Sequence, residues 1–369
     1  IVEKEEAKFQ ETIDQGLNIL NNHIEELKKE NKTQLSGQDV FKLYDTYGFP
    51  LDLTKEIAAD NGLIVDEDEF ANQMQIQKET SRKSRSFDGG WEEEDLNISG
   101  YDKTEYVGYD EFSIDTEIVA LLSEGQEVES IGEGDKAIVI LKKTPFYGQG
   151  GGQVGDTGLI QNGEATLRVV DTQKTAEEVY YNFVEVVNGE FNKGDEVKAS
   201  IDIKRRKAIT KNHSATHILH KALKIVLGGH IKQAGSLVDE HKTRFDFTHF
   251  EAVTPEQIKE IERIANEEVF LGNNVDVQLT SLEGSQEMGA VGLFEDKYKD
   301  IVRVVSMGDF SVELCGGCHV SNTADIQMIK ISSESGIAAG VRRIEAITGN
   351  NVYEYLNSLE ENESKYANL

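Results

Sequence analysis

Two separate stretches of the chain carry side chains that suit a metal ion. His213 and His217 stand four positions apart in a segment with helical periodicity, and this spacing brings both imidazoles to one helix face, about 6 Å apart. Much later, Cys315-Gly-Gly-Cys-His319 combines thiol and imidazole groups with two glycines that free the backbone to wrap a cation. Thiolate and imidazole are ligands that Zn²⁺ prefers. The two stretches predict a zinc site formed by His213, His217, Cys315 and His319.

Other ligand sets and other chemistry remain open for these residues. His220, three positions beyond the second histidine, could replace His213, and Cys318 could chelate with Cys315 because C-x-x-C is a zinc-knuckle spacing. A thioredoxin-like redox role for the cysteines lacks the preceding βαβ pattern. A zincin protease does not fit, because Ser214 stands where the H-E-x-x-H motif has its general base.

A glycine-rich stretch is a second candidate for ligand binding. Thr144-Pro-Phe-Tyr-Gly-Gln-Gly-Gly-Gly-Gln153 contains three successive glycines, which let a ligand approach the backbone closely. Gln149 and Gln153 offer amide donors and acceptors there. Taken alone, the stretch is more typical of a wide turn between strands.

A basic segment stands out in a strongly acidic chain. With 38 Lys+Arg against 68 Asp+Glu, the formal net charge is −30, which argues against non-specific nucleic-acid binding by the whole surface. Residues 203–211 nevertheless carry five positive charges and no acid, at a helix start where cations are unfavourable. This conflict favours phosphate contacts. The predicted contact residues are Lys204, Arg205, Arg206, Lys207 and Lys211.

Composition indicates a globular protein of a reducing compartment. The chain of 369 residues is 38% hydrophobic and has long periodic apolar stretches, enough for sizeable cores. It has no run of about 18 apolar residues, as a membrane span requires, and its charged first residues do not resemble a secretory signal. The two cysteines form no disulfide framework and fit a reducing cytosol or a metal site. The start at Ile1 and the polar helical end suggest a piece of a longer protein.

Hydrophobic periodicity divides the chain into segments of different structure. Residues 1–95 have helical spacing, whereas residues 96–200 alternate with period two between turn signals, as a barrel or meander requires. Helices and strands alternate over residues 201–349, and residues 350–369 begin another helix. The predicted fold class is α+β: a helical N-terminal region, a β-barrel-like subdomain, and a mixed α/β zinc-containing subdomain.

Local signals set several element bounds. A helix over residues 203–227 should stop at Gly228, and another should open with Thr254 as N-cap, Pro255 at N1 and Gln257 in a capping box. The failing pattern between Arg82 and Gly100 predicts a surface linker. Strands are predicted at Thr243–Phe247, Val275–Leu279, Ile301–Val305 and Ile326–Ile331.

In order and spacing, motifs along the whole chain resemble the alanyl-tRNA synthetase family. The matching stretches are Leu43–Thr54, the Gly-Gly-Gln stretch ending at Gln153, Asn212–His217, Gln233–Ser236, Arg244–Phe247, Met307–Phe310, Cys315–His319 and Ser333–Glu345. The resemblance implies that residues 1–95 end a tRNA-recognition region, that residues 96–349 form an editing domain, and that residues 350–369 begin a linker to a C-terminal domain. The parent enzyme attaches alanine to tRNA(Ala) with ATP. Its catalytic core is expected before residue 1, and its oligomerisation region after residue 369.

The resemblance implies a cytoplasmic proofreading esterase with Zn²⁺ and no DNA or membrane partner. It would hydrolyse tRNA(Ala) mischarged with serine or glycine. Gln233, matched to the family's editing-site glutamine, Thr144, as partner of the seryl hydroxyl, and Gln153 are the candidate catalytic residues. A site that hydrogen-bonds this hydroxyl rejects alanine, which leaves a buried polar group unpaired. The chain departs from the family at Cys318, usually threonine, and at Gln149, usually glutamate.

Three rival functions share some of these features. A free-standing editing factor has the zinc motifs but not a helical region like residues 1–95. Threonyl-tRNA synthetase also carries an H-x-x-x-H editing motif, but the stretch at residues 43–54 does not fit it. A non-catalytic, zinc-stabilised tRNA-binding module remains open, because four protein ligands are typical of a structural zinc site.

Overall fold

The computed structural model describes residues 2–29, 32–47, 49–83, 98, 100–292 and 301–367. They belong to two units, residues 1–94 and residues 95–369. The linker predicted between Arg82 and Gly100 falls almost wholly outside the described residues. Within the described ranges, no helix combines the length and the apolar content that a membrane crossing needs.

The first unit is helical because its apolar residues recur every three or four positions and share one face. Leu20, Leu43 and Phe49 lie in its core, each at most 1% exposed. Pro50, which cannot continue a helix, is the N-cap of the third helix. The elements are α1 (Val2–Lys29), β1 (Gln34–Leu35), α2 (Gly37–Tyr47), α3 (Leu51–Asp60), β2 (Ile64–Val65) and α4 (Glu67–Lys83).

The second unit begins with a β-barrel, as the period-two alternation predicts. Its strands are β3 (Glu105–Tyr106), β4 (Ser113–Ser123), β5 (Gln126–Val128), β6 (Ser130–Gly132), β7 (Lys136–Leu141), β8 (Lys143–Thr144), β9 (Gly158–Asn162), β10 (Ala165–Lys174), β11 (Tyr180–Asn188), β12 (Glu190–Asn192) and β13 (Glu196–Ile201). Six of them pair in the order β13-β9-β10-β11-β7-β4, and β13 pairs with β4 to close the barrel. Ile118, Val139 and Leu167 point inward and are fully buried. Closure pairs both edges of the sheet.

The rest of the second unit packs two long helices on a four-stranded sheet of order β14-β15-β20-β19. A three-stranded sheet of order β16-β17-β18 lies beside them and ends in the loop that carries Cys315. The elements are α5 (Ile203–Leu227), β14 (Gln233–Val238), β15 (Thr243–Thr248), α6 (Pro255–Leu271), β16 (Val275–Ser281), α7 (Leu282–Glu287), β17 (Ile301–Met307), β18 (Ser311–Leu314), a 3₁₀ turn (Thr323–Ile326), β19 (Ile329–Ala338), β20 (Val341–Thr348) and α8 (Asn350–Ala367).

Most of the predicted bounds in this region are confirmed, and one is wrong. Helix α5 ends at Gly228, whose φ of 112° favours glycine, and α6 opens with the predicted Thr254–Gln257 capping box. The strand predicted from Ile326 begins only at Ile329. The reason is local, because a 3₁₀ turn precedes it and the φ of Gln327, 73°, breaks the extended backbone.

A buried ion pair fixes α5 against the barrel. Nε of Arg206 lies 3.0 Å from each carboxylate oxygen of Asp156, which follows the glycine-rich stretch. The same guanidinium donates to the carbonyls of Gly108 and Pro145. Both charged side chains are at most 4% exposed. The helix that carries His213 and His217 is therefore anchored at its first turn.

Candidate metal centre and adjoining cavity

Four side chains from two distant stretches meet in the second unit. His213 and His217 project from α5, and Cys315 and His319 come from the loop after β18; their ligating atoms all lie within 4.8 Å of one another. The Cys315 sulfur is 3.4 Å from Nε2 of His213 and 3.3 Å from Nε2 of His319. Three imidazoles and one thiol at this separation fit a zinc ion.

Second-layer contacts orient two of the imidazoles. Nδ1 of His213 lies 2.8 Å from Oε1 of Gln153, and Nδ1 of His319 lies 3.1 Å from Oγ of Ser214. Each contact engages the ring nitrogen opposite the one that faces Cys315. Metal-binding histidines are commonly held in this way, because the partner fixes the tautomer and the ring orientation.

A buried carboxylate lies near the third imidazole. Oε2 of Glu313 lies 3.6 Å from Nδ1 of His217, and its other oxygen lies 2.8 Å from Nδ1 of His220. Burial would raise the pKa of Glu313, but His217 and His220 outweigh burial and leave the pKa below its usual range. His220 is thus engaged by Glu313, and it does not belong to the four-residue cluster.

The electrostatics of the cluster favour a thiolate. Burial would raise the pKa of Cys315, but the three neighbouring histidines outweigh burial and hold the pKa well below its usual range. Burial would likewise lower the pKa of His217, but Glu313 and Cys315 raise it to about 9. Burial and His213 together lower the pKa of His319 to about 3. The thiolate is the form of cysteine that binds zinc.

Cys318 faces away from the cluster. Its sulfur lies 3.6 Å from the hydroxyl of Tyr106, and its backbone N–H donates to Oε1 of Gln153 at 2.9 Å. Burial raises the pKa of its thiol. Between the two cysteines, Gly317 is necessary, since a Cβ there would lie 2.0 Å from Cε1 of His213. The loop can approach α5 only without a side chain at this position.

The cluster opens into a cavity of about 950 Å³, whose wall includes His319 and Cys318. Lys207 and Lys211, one turn apart on α5, line it together with Arg303, and so do the acidic residues Asp110 and Asp325. Apolar residues of the wall come from the segment just before β4, from α5 and from β16. The volume is sufficient for a nucleotide-sized ligand.

The structure distributes the five predicted cationic residues among three environments. Lys207 and Lys211 line the cavity, and Nζ of Lys211 donates to Gln327 at 2.8 Å. Lys204 is exposed on the first turn of α5. Arg205 pairs with Glu240, and Arg206 is buried in its ion pair with Asp156. Arg206 reaches the wall of the cavity, but its guanidinium is held by Asp156 and by two backbone carbonyls, so it holds the helix to the barrel.

The three candidate catalytic residues do not line this cavity. Thr144 is fully buried, and its hydroxyl oxygen accepts from the N–H of Phe146 at 3.2 Å. Gln153 is fully buried and supports His213. Gln233 is half-buried at the start of β14, opposite Phe247.

The role of Glu313 is not evident from the sequence. A signal was present, because Glu313 is an acid in the short strand Ser311–Leu314, where it occupies a buried position. A carboxylate at an inward-facing strand position requires a partner. The partners, His217 and His220, lie on α5, and their proximity could not be read from the sequence.

Two family models match the chain. Residues 1–205 match the model described as tRNA synthetases class II (A), and residues 302–345 match the model described as threonyl and alanyl tRNA synthetase second additional domain. The chain is 50% identical over 360 residues to an alanine–tRNA ligase of Clostridioides difficile and 45% identical over 363 residues to one of Bacillus subtilis. These alignments cover 96% and 97% of the chain but only 41% of each relative. The chain therefore spans less than half the length of these relatives.

Proposed function

Because the chain belongs to the class II alanyl-tRNA synthetase family, we propose that it is the editing part of such an enzyme and hydrolyses Ser-tRNA(Ala) and Gly-tRNA(Ala). The observation that carries the proposal is that His319 belongs both to the metal cluster and to the wall of the cavity. A bound substrate would thus lie beside the metal site. We further propose that the longer enzyme, of which this chain is a part, joins alanine to the same tRNA in the cytoplasm.

The lining of the cavity suits the 3′ end of a tRNA. Single-stranded nucleic acids are bound by cationic grooves that follow the phosphates and by aromatic or apolar surfaces that contact the bases. Lys207 and Lys211 supply positive charge, and Phe112 and Val277 supply apolar surface. With Arg303, the cations of the wall outnumber its acidic residues, Asp110 and Asp325, in contrast to the net charge of −30 of the whole chain. We propose that the terminal nucleotides enter along the face of α5 that bears the two lysines.

The metal site has features that suit the hydrolysis of an ester. A zinc ion at the cluster would supply positive charge beside the ester carbonyl or the substrate amine. Gln153 and Ser214 orient two of the imidazoles, and the Glu313 carboxylate faces the third. An aminoacyl ester is already activated, so a positioned water and modest polarisation suffice for its hydrolysis. The family resemblance alone assigns selectivity for serine to Thr144 and Gln233, which lie outside the wall of the cavity.

The test is hydrolysis of Ser-tRNA(Ala) and Gly-tRNA(Ala) by this chain, before and after removal of metal by a chelator. We expect hydrolysis by the zinc-loaded chain, loss after chelation, and recovery when zinc is added back. Ala-tRNA(Ala) is the control substrate and should be spared. The absence of hydrolysis by the zinc-loaded chain would contradict the proposal.

One observation favours a second function, a zinc-stabilised tRNA-binding module. The cluster offers four side-chain donors, and a complete tetrahedral set is typical of structural zinc sites. In that case the zinc-loaded chain would bind tRNA(Ala) without hydrolysing its ester, and chelation would weaken tRNA binding through loss of structure. The same deacylation assay, run beside a binding assay, distinguishes the two functions.

A further inference from the structure

Side chains from outside the metal loop hold three consecutive carbonyls of that loop. One guanidinium nitrogen of Arg303 donates to the carbonyl of Cys315 at 2.8 Å and to that of Gly317 at 3.0 Å. The hydroxyl of Tyr109 donates to the carbonyl between them, that of Gly316, at 2.6 Å. Each carbonyl from the first metal ligand to the second glycine is therefore fixed.

These two side chains also hold each other. The Arg303 guanidinium lies over the Tyr109 ring, 4.3 Å from its centroid, a distance at which the cation and the ring attract. Arg303 comes from β17, and Tyr109 comes from the turn before β4 at the barrel. The backbone carbonyl of Arg303 accepts from the N–H of Cys315 at 3.0 Å. The pair thus connects the metal loop to two different parts of the second unit.

Such support favours an ordered loop, because its two glycines make ordering costly in conformational entropy. Gly316 and Gly317 lose more conformational freedom on folding than other residues do, and Gly317 must remain glycine because of its approach to His213. With the carbonyls bound on one side, the Cys315 sulfur and the His319 ring can both face α5. A loop that is already held in this arrangement loses less conformational entropy when the four donors bind one ion.

We infer that Tyr109 and Arg303 are positioning residues, a carbonyl clamp that presets the Cys315–His319 loop for metal binding. The clamp holds the loop through backbone carbonyls, and neither side chain is a member of the ligand cluster. This inference rests on the metal site within the proposed function and is independent of whether the chain hydrolyses an ester. Its test therefore measures metal affinity instead of hydrolysis.

The experiment compares the zinc affinity of the full chain and its variants by competition with a chromophoric chelator. Arg303→Gln removes the charge and the stacking partner, and Tyr109→Phe removes only the hydroxyl. Loss of an outer contact typically costs about 10–100-fold in metal affinity, so we expect about tenfold or more for Arg303→Gln and a smaller loss for Tyr109→Phe. The matched controls are Arg168→Gln and Tyr101→Phe, whose side chains contact Glu185 and Glu127 in the barrel region. Both controls should keep the parent affinity.

A cobalt spectrum separates positioning from ligation. At saturating Co²⁺, the thiolate-to-cobalt absorption of both clamp variants should match that of the parent chain, because the ligand set is unchanged. Zinc affinity equal to that of the parent in both variants would overturn the inference, as would a changed spectrum at saturation. The inference would also be overturned if a lower thermal midpoint of the metal-free variant fully explained its loss of zinc affinity. If Arg303→Gln does not fold, Tyr109→Phe still decides, because it removes a single oxygen atom.

Discussion

The three imidazoles of the cluster differ in the group that faces their Nδ1 atom. An amide holds His213, a hydroxyl holds His319, and a carboxylate faces His217. Gln153 is the amide, and its Oε1 also accepts from the backbone of the metal loop. One side chain of the glycine-rich stretch therefore touches both halves of the metal site.

Gln153→Leu should lower zinc affinity by about 10–100-fold, the usual cost of losing a second-layer partner. Leucine has a similar size and provides no acceptor for His213 or for the loop. Chelator competition measures the effect, with Gln161→Leu on β9 as the control, since that side chain contacts Thr166 instead. Equal affinities for the two variants would show that His213 does not need its amide partner.

The two cysteines should respond differently to replacement. Cys315→Ala removes a donor and should abolish stoichiometric zinc binding, whereas Cys318→Ala should leave one zinc per chain, because the Cys318 sulfur faces Tyr106. Metal analysis of both purified variants after zinc addition makes the comparison. A greater loss of zinc from Cys318→Ala would contradict this ligand set.

Thr144→Val tests the proposed basis of selectivity, because valine keeps the shape and removes the hydroxyl. A lost hydrogen bond costs about 0.5–1.5 kcal/mol, and about 1–3 kcal/mol if its partner stays buried and unpaired. Hydrolysis of Ser-tRNA(Ala) should fall by between a few-fold and roughly a hundredfold, at about 1.4 kcal/mol per decade. Gly-tRNA(Ala), which has no side-chain hydroxyl, should be much less affected.

The measured quantity in that comparison is the ratio of the two hydrolysis rates. Thr54→Val, a buried threonine of the first unit, is the matched control. Equal losses on both substrates would move the basis of selectivity from Thr144 to residues that line the cavity.

The metal ligands could be predicted from the sequence because each pair is local. His213 and His217 share a helix face through their spacing, and Cys315 and His319 share a short loop. Their supporting residues could not be predicted in the same way, since Arg303, Tyr109 and Glu313 reach the site only through tertiary packing. The roles of Thr144 and Gln233 stay predictions.

At the level of elements, α5 carries two kinds of chemistry on different faces. Its buried face bears His213 and His217, and another face presents Lys207 and Lys211 to the cavity. The Arg206–Asp156 ion pair fixes the first turn of the helix on the barrel. The metal site and the cationic wall are thus oriented together by one rigid helix.

The double replacement Lys207→Ala/Lys211→Ala should weaken tRNA binding and reduce its salt dependence. Each lost phosphate contact lowers the slope of log affinity against log salt by about 0.7 for a single strand. The control is Lys221→Ala, an exposed lysine of the same helix. Titrations at several salt concentrations give both slopes, and an unchanged slope for the double variant would remove these lysines from the proposed interface.

Among elements, those with strong local signals agree with their predictions. The capping box at Thr254 and the glycine stop at Gly228 are formed as predicted. Barrel closure is different, because it depends on β13 pairing with both β4 and β9, and alternation alone does not specify such pairs. The predicted start of β19 is wrong for a different reason. Gln327 has a positive φ although it is not a glycine, so its residue type does not indicate the turn.

At the level of the whole molecule, the metal site belongs to the second unit alone. All four donor residues, Gln153 and the carbonyl clamp lie within residues 95–369. The match to the class II (A) tRNA synthetase model, over residues 1–205, extends across both units. Metal binding and the tRNA contacts assigned to residues 1–95 are therefore proposed to be separable by truncation.

A chain of residues 95–369 should bind zinc with the affinity of the full chain and bind tRNA(Ala) more weakly. The reason is that the proposed tRNA-recognition region is removed while every metal ligand is kept. Chelator competition and tRNA titration on the same preparations give the two affinities. Reduced zinc affinity with unchanged tRNA binding would reverse this assignment.

The separation of the two ligand pairs along the chain has a consequence for unfolding. About a hundred residues lie between His217 and Cys315. An ion bound to both residues would close this stretch into a loop. In the entropic account, a covalent cross-link around a loop of about 100 residues contributes at most about 4–5 kcal/mol by restricting the denatured chain. Both cysteines of the chain lie in the metal loop. Coordination can therefore give this chain the tether that small secreted domains obtain from disulfide bonds.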